Sequence, residues 1–307
     1  MERTARTHVA ELRPDGRPRR EGRVVTMSEA LDAIPDGARV YFSPICSVPT
    51  SALDAMAAQH DRWTRLTFVT DYLSEPVAPF AHAGQPFHLI SLQPTPAVDA
   101  MRKAGALRTV SASYGQFAAY LLPGGPVSVD VAIVQVSPPG PDGRCSLGVG
   151  AGVTAELVGR VPFVIAEINP AMPYTFGASE CDRTDFDLLV EVEHPLVELA
   201  VPAADDVALA IGGHAASCVP DRATLEFGIG AIPESVLAAL HGRVDLGLHG
   251  GMISDAVVRL AASGALTGAA KSVDPGLHVG AGVVGTRAVF DWVDRNPDVY
   301  LVGSSYS

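Results

Sequence analysis

A glycine-containing stretch in the last third of the chain has the composition of a ligand-binding loop. The apolar run Ala223–Phe227 predicts a buried strand, and Pro233 with the apolar residues after it predicts a helix. Glycines between the two elements let backbone N–H groups approach a ligand, and the helix N-terminus adds a partial positive charge. The loop is therefore predicted to hold an anion or a polarised carbonyl oxygen through Gly228, Ile229, Gly230 and Ala231.

A second stretch of the same kind follows. The apolar run Val244–Leu248 predicts a strand, and Ser254 is a predicted N-cap for a helix over Asp255–Ala262. His249, Gly250 and Gly251 predict another turn, and Gly250, Gly251 and Met252 are predicted ligand-binding residues. Because ligands bind beyond the carboxyl ends of parallel strands, the two turns are expected to form one site. The alternative is that they are ordinary turns of an α/β protein, in which such glycines are common.

The composition favours a compact α/β protein. The chain has 307 residues, of which 48% are hydrophobic and 18% charged, enough for two domains with large cores. The formal net charge of −12 argues against nucleic-acid binding, which needs clustered cations. No apolar run is long enough for a membrane span and no signal-peptide core is present, so a cytoplasmic location is predicted. The four cysteines lack a CxxC pair; no zinc site is predicted, and each is expected to be buried.

The order of elements predicts a wound, mainly parallel sheet in two units. Residues 1–23 carry seven arginines against four acids and are predicted to be a flexible basic tail. A first α/β domain is assigned to residues 24–206 and a second to 207–307. The segments Ile34–Met56 and Val219–Leu240 share the order Pro-Asp, strand, small-residue loop and helix, which indicates an internal duplication or a chance similarity.

Shorter patterns predict the individual elements. Predicted helices cover Ser28–Ile34, Thr50–Gln59 and Thr286–Arg295. Predicted strands are Arg39–Phe42, Leu66–Val69, Phe87–Ile90, Val131–Val136, Val161–Ile168, Leu277–Val284 and Val299–Val302.

Five blocks, in order along the chain, resemble the acetyl-CoA hydrolase/transferase family, which includes 4-hydroxybutyrate CoA-transferases. They read VSPPGPDGRCSLG, INPAMPYTFG, DRATLEFGIGAIPESVLAAL, GLHGGMISDAVVRL and VGTRAVFDWVDRNP. The resemblance implies two related CoA-transferase-like α/β domains with the active site between them. It also implies an acyl-CoA substrate and a glutamate nucleophile. The glutamate would form a glutamyl-CoA thioester, from which CoA passes to a second carboxylate or is released by hydrolysis.

The sequence departs from this family at the nucleophile. Where the family has His-Ser/Thr-Glu-Met, this chain has His249, Gly250, Gly251 and Met252, so glycine stands where the nucleophilic glutamate is expected. The closing, glycine-rich portion of the family pattern is also absent. The second domain is therefore expected to be incomplete, either because the chain is cut or because a partner chain covers it, and a homo-oligomer or hetero-oligomer is predicted.

Two side chains near the turns are candidates to replace the missing glutamate. Glu226 precedes the first turn and offers a carboxylate, although a polar strand residue with a buried partner is the alternative. His249 could act as a base for water or merely orient its loop. Three hypotheses remain open: an acyl-CoA enzyme of altered chemistry, a non-catalytic CoA-binding subunit completed by a partner, and a scaffold that binds neither. The glycines of the family loops are present in this chain, which favours the first two hypotheses.

Overall fold

The structure is a computed structural model that describes residues 22–306. The predicted basic tail lies outside the described residues except for Gly22 and Arg23. Arg23 belongs to the first strand.

Fifteen strands occur within residues 22–306: β1 (Arg23–Val24), β2 (Arg39–Phe42), β3 (Leu66–Tyr72), β4 (Phe87–Gln93), β5 (Leu107–Thr109), β6 (Val131–Val136), β7 (Cys145–Ser146), β8 (Phe163–Ile168), β9 (Phe176–Gly177), β10 (Glu180–Cys181), β11 (Leu188–Glu191), β12 (Thr224–Leu225), β13 (Gly247–Ile253), β14 (His278–Val283) and β15 (Val299–Leu301). The α-helices in the same range are α1 (Met27–Asp32), α2 (Thr50–Ala58), α3 (Asp99–Lys103), α4 (Tyr114–Leu121), α5 (Gly152–Leu157), α6 (Asp206–Ser217), α7 (Ala231–Ala238), α8 (Asp255–Ala262) and α9 (Arg287–Val293).

Two parallel sheets organise the described part of the chain. The first has the strand order β1-β11-β8-β6-β2-β3-β4-β5, and the second has the order β12-β13-β14-β15-β9. Every pairing within them is parallel, and β7 with β10 forms a separate antiparallel pair. The predicted α/β class with wound, mainly parallel sheets is confirmed.

Apolar residues on both faces of the first sheet explain why helices cover it on both sides. All six residues of β6 are buried. Phe42 and Phe68 pack in the cluster on one face, whereas Tyr41 and Val69 pack in the cluster on the other. A third apolar cluster packs around the second sheet.

Several elements lie where the sequence predicts them. β2 and β6 have the predicted bounds, and α2 begins at the predicted Thr50. The first helix begins one residue early because Thr26 caps it: the amide of Glu29 donates to Thr26 Oγ1 at 3.3 Å, and the amide of Thr26 donates to Glu29 Oε2 at 2.9 Å.

The predicted bounds around the two glycine stretches are wrong. The strand predicted over Ala223–Phe227 is only two residues long, and α7 begins at Ala231, so Pro233 is its third residue. The strand predicted over Val244–Leu248 instead runs from Gly247 to Ile253. It continues through its glycines because they pair with glycine-rich β14, in the registers Gly250 with Gly280 and Met252 with Gly282.

One cysteine differs from expectation. Cys46, Cys145 and Cys181 are buried as predicted, whereas Cys218 is exposed. Cys218 is the C-cap residue of α6 and faces solvent together with the preceding Ser217.

The chain crosses between the sheets before the predicted boundary at residue 206. β9 lies within the segment assigned to the first domain but pairs with β15 at the edge of the second sheet. α6 then begins at Asp206 and packs on α7. In residues 22–306 no helix combines the length and the apolar character that a membrane span requires.

Candidate functional site

The two sheets meet at the carboxyl end of β2, where the strand order of the first sheet reverses. The chain passes from β2 to β3 on one side, whereas β6 pairs with the other side of β2. Such a reversal opens a crevice beyond the strand ends, which is the usual ligand position in open parallel sheets. Ile45, just beyond β2, adopts φ 52°, a left-handed conformation that a β-branched residue rarely adopts.

A cavity of about 180 Å³ lies in this crevice. The first sheet and its helices contribute polar side chains, and the second sheet contributes mainly backbone and apolar groups. The lining residues are Ile45, Asp71, Tyr72, Gln93, Tyr114, Ile229, Gly251 and Met252.

Asp71 is the acidic residue of this lining. It lies near the carboxyl end of β3 and is only 3% exposed. Burial raises the pKa of its carboxyl to about 7, although the backbone amides of Tyr72 and Asp71 itself donate to it. The Tyr72 amide lies 2.5 Å from Asp71 Oδ1. No positively charged side chain of the described residues contributes to this pKa, so the carboxyl can be protonated or ionised near neutrality.

Two buried phenols lie close to Asp71. Burial raises the pKa of Tyr41 and of Tyr114, and the charge of Asp71 adds to both shifts. Tyr41 Oη lies 2.7 Å from Thr154 Oγ1. Tyr114 Oη accepts from the amide of Val153 and would lie 2.2 Å from a Cβ atom at Gly152. Both phenols therefore remain neutral hydrogen-bonding groups.

Gly251 opens directly into space. A Cβ atom added there would meet no heavy atom within 4 Å outside the adjoining residues. Gly250 differs, because a Cβ atom there would lie 2.8 Å from Cγ of Glu226. A side chain at position 250 would push against Glu226, whereas position 251 has room for one.

The predicted second turn is wrong as a local structure. His249, Gly250, Gly251 and Met252 belong to β13, which is paired with β14. Ser254 does occupy the N-cap position of α8, but its hydroxyl donates to Glu234 Oε1 at 2.7 Å instead of capping the helix.

The predicted first loop is present between β12 and α7. Gly230 adopts φ 134°, a conformation that favours glycine. Ile229 reaches the cavity, a Cβ atom at Gly228 would meet nothing within 4 Å, and Ala231 begins α7. The tertiary structure thus brings Ile229 of the first stretch beside Gly251 and Met252 of the second.

The two candidate acid–base side chains flank Gly251 without lining the cavity. Glu226 is exposed, and its side chain packs against Gly250. His249 is half-buried, with its ring centroid 5.7 Å from that of Tyr306. Their roles stay predictions.

Sequence reasoning missed the polar side of the cavity. Asp71, Tyr72, Gln93 and Tyr114 come from β3, β4 and α4, remote in the chain from the glycine stretches. One signal was available: Asp71 follows the apolar run Leu66–Val69, and a polar residue at the carboxyl end of a buried parallel strand is well placed for ligand binding. Within residues 22–306, no group of three or more His, Cys, Asp or Glu residues could hold a metal ion.

Two parallel α/β sheets with a crevice between them define a CoA-transferase-like fold. The crystal structure of 4-hydroxybutyrate CoA-transferase (abfT-2) from Porphyromonas gingivalis superposes with a TM-score of 0.76 at 28% identity, over 92% of this chain and 68% of that chain. RipA from Yersinia pestis has the same fold, with a TM-score of 0.87 at 24% identity over the same shares.

The family model of the acetyl-CoA hydrolase/transferase N-terminal domain matches residues 13–184. The chain therefore belongs to the acetyl-CoA hydrolase/transferase family. A 4-hydroxybutyrate coenzyme A transferase of Clostridium kluyveri is 43% identical over 178 residues, which are 58% of this chain and 42% of that protein. The match thus spans less than half the length of this curated relative.

Proposed function

We propose that this chain acts on acyl-CoA thioesters, by transfer or hydrolysis, without the glutamyl-CoA intermediate that the family resemblance implies. The observation that carries the proposal is Gly251, which opens into the 180 Å³ cavity between the two sheets and offers no side chain to attack a thioester. Membership of the family supports CoA as the carrier of the acyl group.

The glycine stretches are proposed to bind the thioester. The loop from Gly228 to Ala231 leads into the N-terminus of α7, whose partial positive charge favours a polarised carbonyl oxygen. Ile229 and Met252 offer apolar surface to an acyl chain in the cavity. Glu226 and His249, which flank Gly251 outside the cavity lining, are proposed to act as acid–base groups. If the reaction is transfer, the proposed acceptor is a small carboxylate. Oligomerisation is proposed as well.

A second candidate function is a non-catalytic CoA-binding subunit whose partner chain supplies the nucleophile. The same observation favours it, because a chain that binds CoA without reacting needs no side chain at position 251. The two candidates differ in whether the isolated chain consumes acetyl-CoA.

The test combines calorimetric titration with mass spectrometry. We expect the unaltered chain to bind CoA and acetyl-CoA without a covalent adduct. Slow loss of the thioester would favour the enzyme, and binding without loss would favour the subunit. Absence of binding at millimolar ligand would overturn both.

Gly251→Glu tests whether this position faces the thioester. The open space at Gly251 accommodates a longer side chain. The new carboxylate should therefore attack the acetyl carbonyl of acetyl-CoA, which expels the CoA thiolate and leaves a mixed anhydride of glutamate and acetate. The thiolate should then attack the glutamyl carbonyl and release acetate, leaving a CoA adduct at residue 251. Gly251→Gln has nearly the same shape without the nucleophile and should form none. An adduct-free Gly251→Glu variant that still binds CoA would contradict this placement.

A further inference from the structure

The proposed function leaves open which group activates the attacking molecule. A reaction without a glutamate nucleophile needs a base that reaches the cavity beside Gly251. Such a base must contact the space that substrate and water would share, and it must be able to accept a proton near neutral pH.

We propose that Asp71 is the general base of a thioester hydrolysis, in which a water molecule occupies the space left open by Gly251. This inference rests on the proposed function. Asp71 lines the same cavity as Gly251 and enters it from the first sheet, whereas Gly251 enters it from the second.

The size of the cavity fits this arrangement. The centre of a water molecule needs only roughly 10 to 15 Å³ of free space, so a cavity with about 180 Å³ of such space has room for a short acyl group and a water molecule together. The absent side chain at Gly251 contributes part of this room.

The hydrogen bonds of Asp71 leave its carboxylate free to act. Its donors are the backbone amides of Tyr72 and of Asp71 itself, and no side-chain cation of the described residues pairs with it. A carboxylate held by a salt bridge would be a weak base, whereas a buried and unpaired one binds a proton more readily. Burial raises the pKa of Asp71 to about 7, close to the value at which a general base is most effective.

Other carboxylates near the crevice are placed less well. Glu226 is exposed and packs on Gly250. Glu167 is fully buried, but its Oε1 accepts from the amide of Ala52 at 2.5 Å and its Oε2 lies 3.4 Å from His194 Nε2. It is not among the residues that line this cavity.

The proposed step is balanced. The water oxygen attacks the thioester carbonyl carbon while the Asp71 carboxylate takes one water proton. The tetrahedral intermediate then expels CoA by breaking the C–S bond, and the leaving thiolate receives the proton from Asp71. The products are the free acid and CoA, and the Asp71 carboxylate is restored.

The pH dependence depends on the groups around Asp71. Tyr41 faces it from β2 and Tyr114 from α4, and Glu156 of α5 acts on Tyr114. Both phenols keep their protons through neutrality because burial raises their pKa. The rate should therefore rise with pH through the raised pKa of Asp71 and level off above it.

The experiment compares acetyl-CoA hydrolysis and CoA binding in four variants. Asp71→Asn should lower kcat/KM for release of free CoA by about 10²-fold or more and abolish the rise with pH, while calorimetry shows CoA affinity within about threefold of the unaltered chain. Asp71→Glu should retain the rise with pH, since it keeps a carboxyl. Asp61→Asn is the matched control at an exposed aspartate and should change nothing. Glu226→Gln tests the competing carboxylate.

The outcomes separate the two levels of the proposal. Unchanged hydrolysis in Asp71→Asn, or a pH rise that persists in it, would overturn the role of Asp71. Loss of activity in Glu226→Gln but not in Asp71→Asn would overturn it and would indicate Glu226 as the base. If the unaltered chain binds no CoA, the proposed function fails first, and this inference fails with it.

Discussion

At the scale of single residues, Asp71 carries a cost that the fold must offset. A carboxyl that is 3% exposed and has no cationic partner prefers the protonated form, and its pKa rises from 3.8 to about 7. Cavities at active sites often hold such groups, because stability is given up there for reactivity.

This pKa predicts how the free energy of unfolding depends on pH. The pKa is higher in the folded state than in the unfolded chain, so the contribution of Asp71 is most favourable below about pH 4 and is lost as the pH rises through about 7. Asp71→Asn removes this ionisation and should raise the free energy of unfolding at pH 8 by up to about 4 kcal/mol, at about 1.4 kcal/mol for each pH unit between the two pKa values.

Urea denaturation at pH 4 and pH 8 checks this. The difference between Asp71→Asn and the unaltered chain should nearly vanish at pH 4. Equal differences at both pH values would show that Asp71 ionises in the folded chain as it does in water.

The residue scale also shows where sequence reasoning succeeds. The sequence analysis selects Gly251 because the family resemblance implies a glutamate at this position, and the structure places Gly251 on the cavity. Asp71 has no such pattern around it. The proposed role of Asp71 depends on its burial and on β13, which brings Gly251 to the same cavity. Neither can be deduced from residues 66–72 alone.

At the scale of elements, the packing of α6 on α7 determines how the first glycine loop is presented. α6 buries a stripe of small residues that includes Ala208, Gly212 and Ala216. A Cβ atom at Gly212 would lie 2.6 Å from Cβ of Ser235 on α7, so the two helices approach closely at this point. The loop from Gly228 to Gly230 is thus attached to a helix whose position depends on one glycine.

Gly212→Ala should therefore destabilise the protein by about 1 to 3 kcal/mol, because the added methyl group forces the two helices apart. Gly213→Ala is the matched control: a Cβ atom there meets nothing within 4 Å, and alanine should stabilise the helix by about 0.5 to 1 kcal/mol. Urea denaturation of both variants measures these changes. Destabilisation of the same size in both would mean that the contact with Ser235 does not matter.

At the scale of the whole molecule, the segment around Tyr174 joins the two sheets. The amide of Tyr174 donates to Asp294 Oδ1 at 2.7 Å, and the amide of Arg295 donates to the carbonyl of Tyr174 at 2.8 Å. The guanidinium of Arg295 lies 4.9 Å from the centroid of the Tyr174 ring, a cation–π distance. Because the cavity lies between the sheets, its shape depends on such contacts.

Tyr174→Ala should lower the free energy of unfolding by about 3 to 5 kcal/mol, the usual cost of removing a buried aromatic ring. Tyr300→Ala, at a tyrosine that is 42% exposed, should cost about 1 kcal/mol or less. Fluorescence and circular dichroism during denaturation should also separate into two transitions in Tyr174→Ala if the sheets become uncoupled. A small, single-transition change would refute this role for Tyr174.

The sequence by itself determined the class of fold and the family. Runs such as Val131–Val136 are apolar on both faces, which only a covered parallel sheet accommodates, and strands alternate with helices along the chain. Five ordered motifs were enough to indicate the acetyl-CoA hydrolase/transferase family. One of them contains Gly251 at the position where the resemblance implies a glutamate.

Only the tertiary structure decided what surrounds that glycine. The cavity combines residues 45 to 114 with residues 229 to 252, and long-range strand pairing and sheet packing bring these segments together. Local patterns also failed at β13, where pairing with the glycines of β14 extends a strand through residues that resemble a turn. A local sequence pattern reflects the intrinsic preference of its residues for helix, strand or turn. Burial, strand register and the proximity of distant residues are properties of the folded chain.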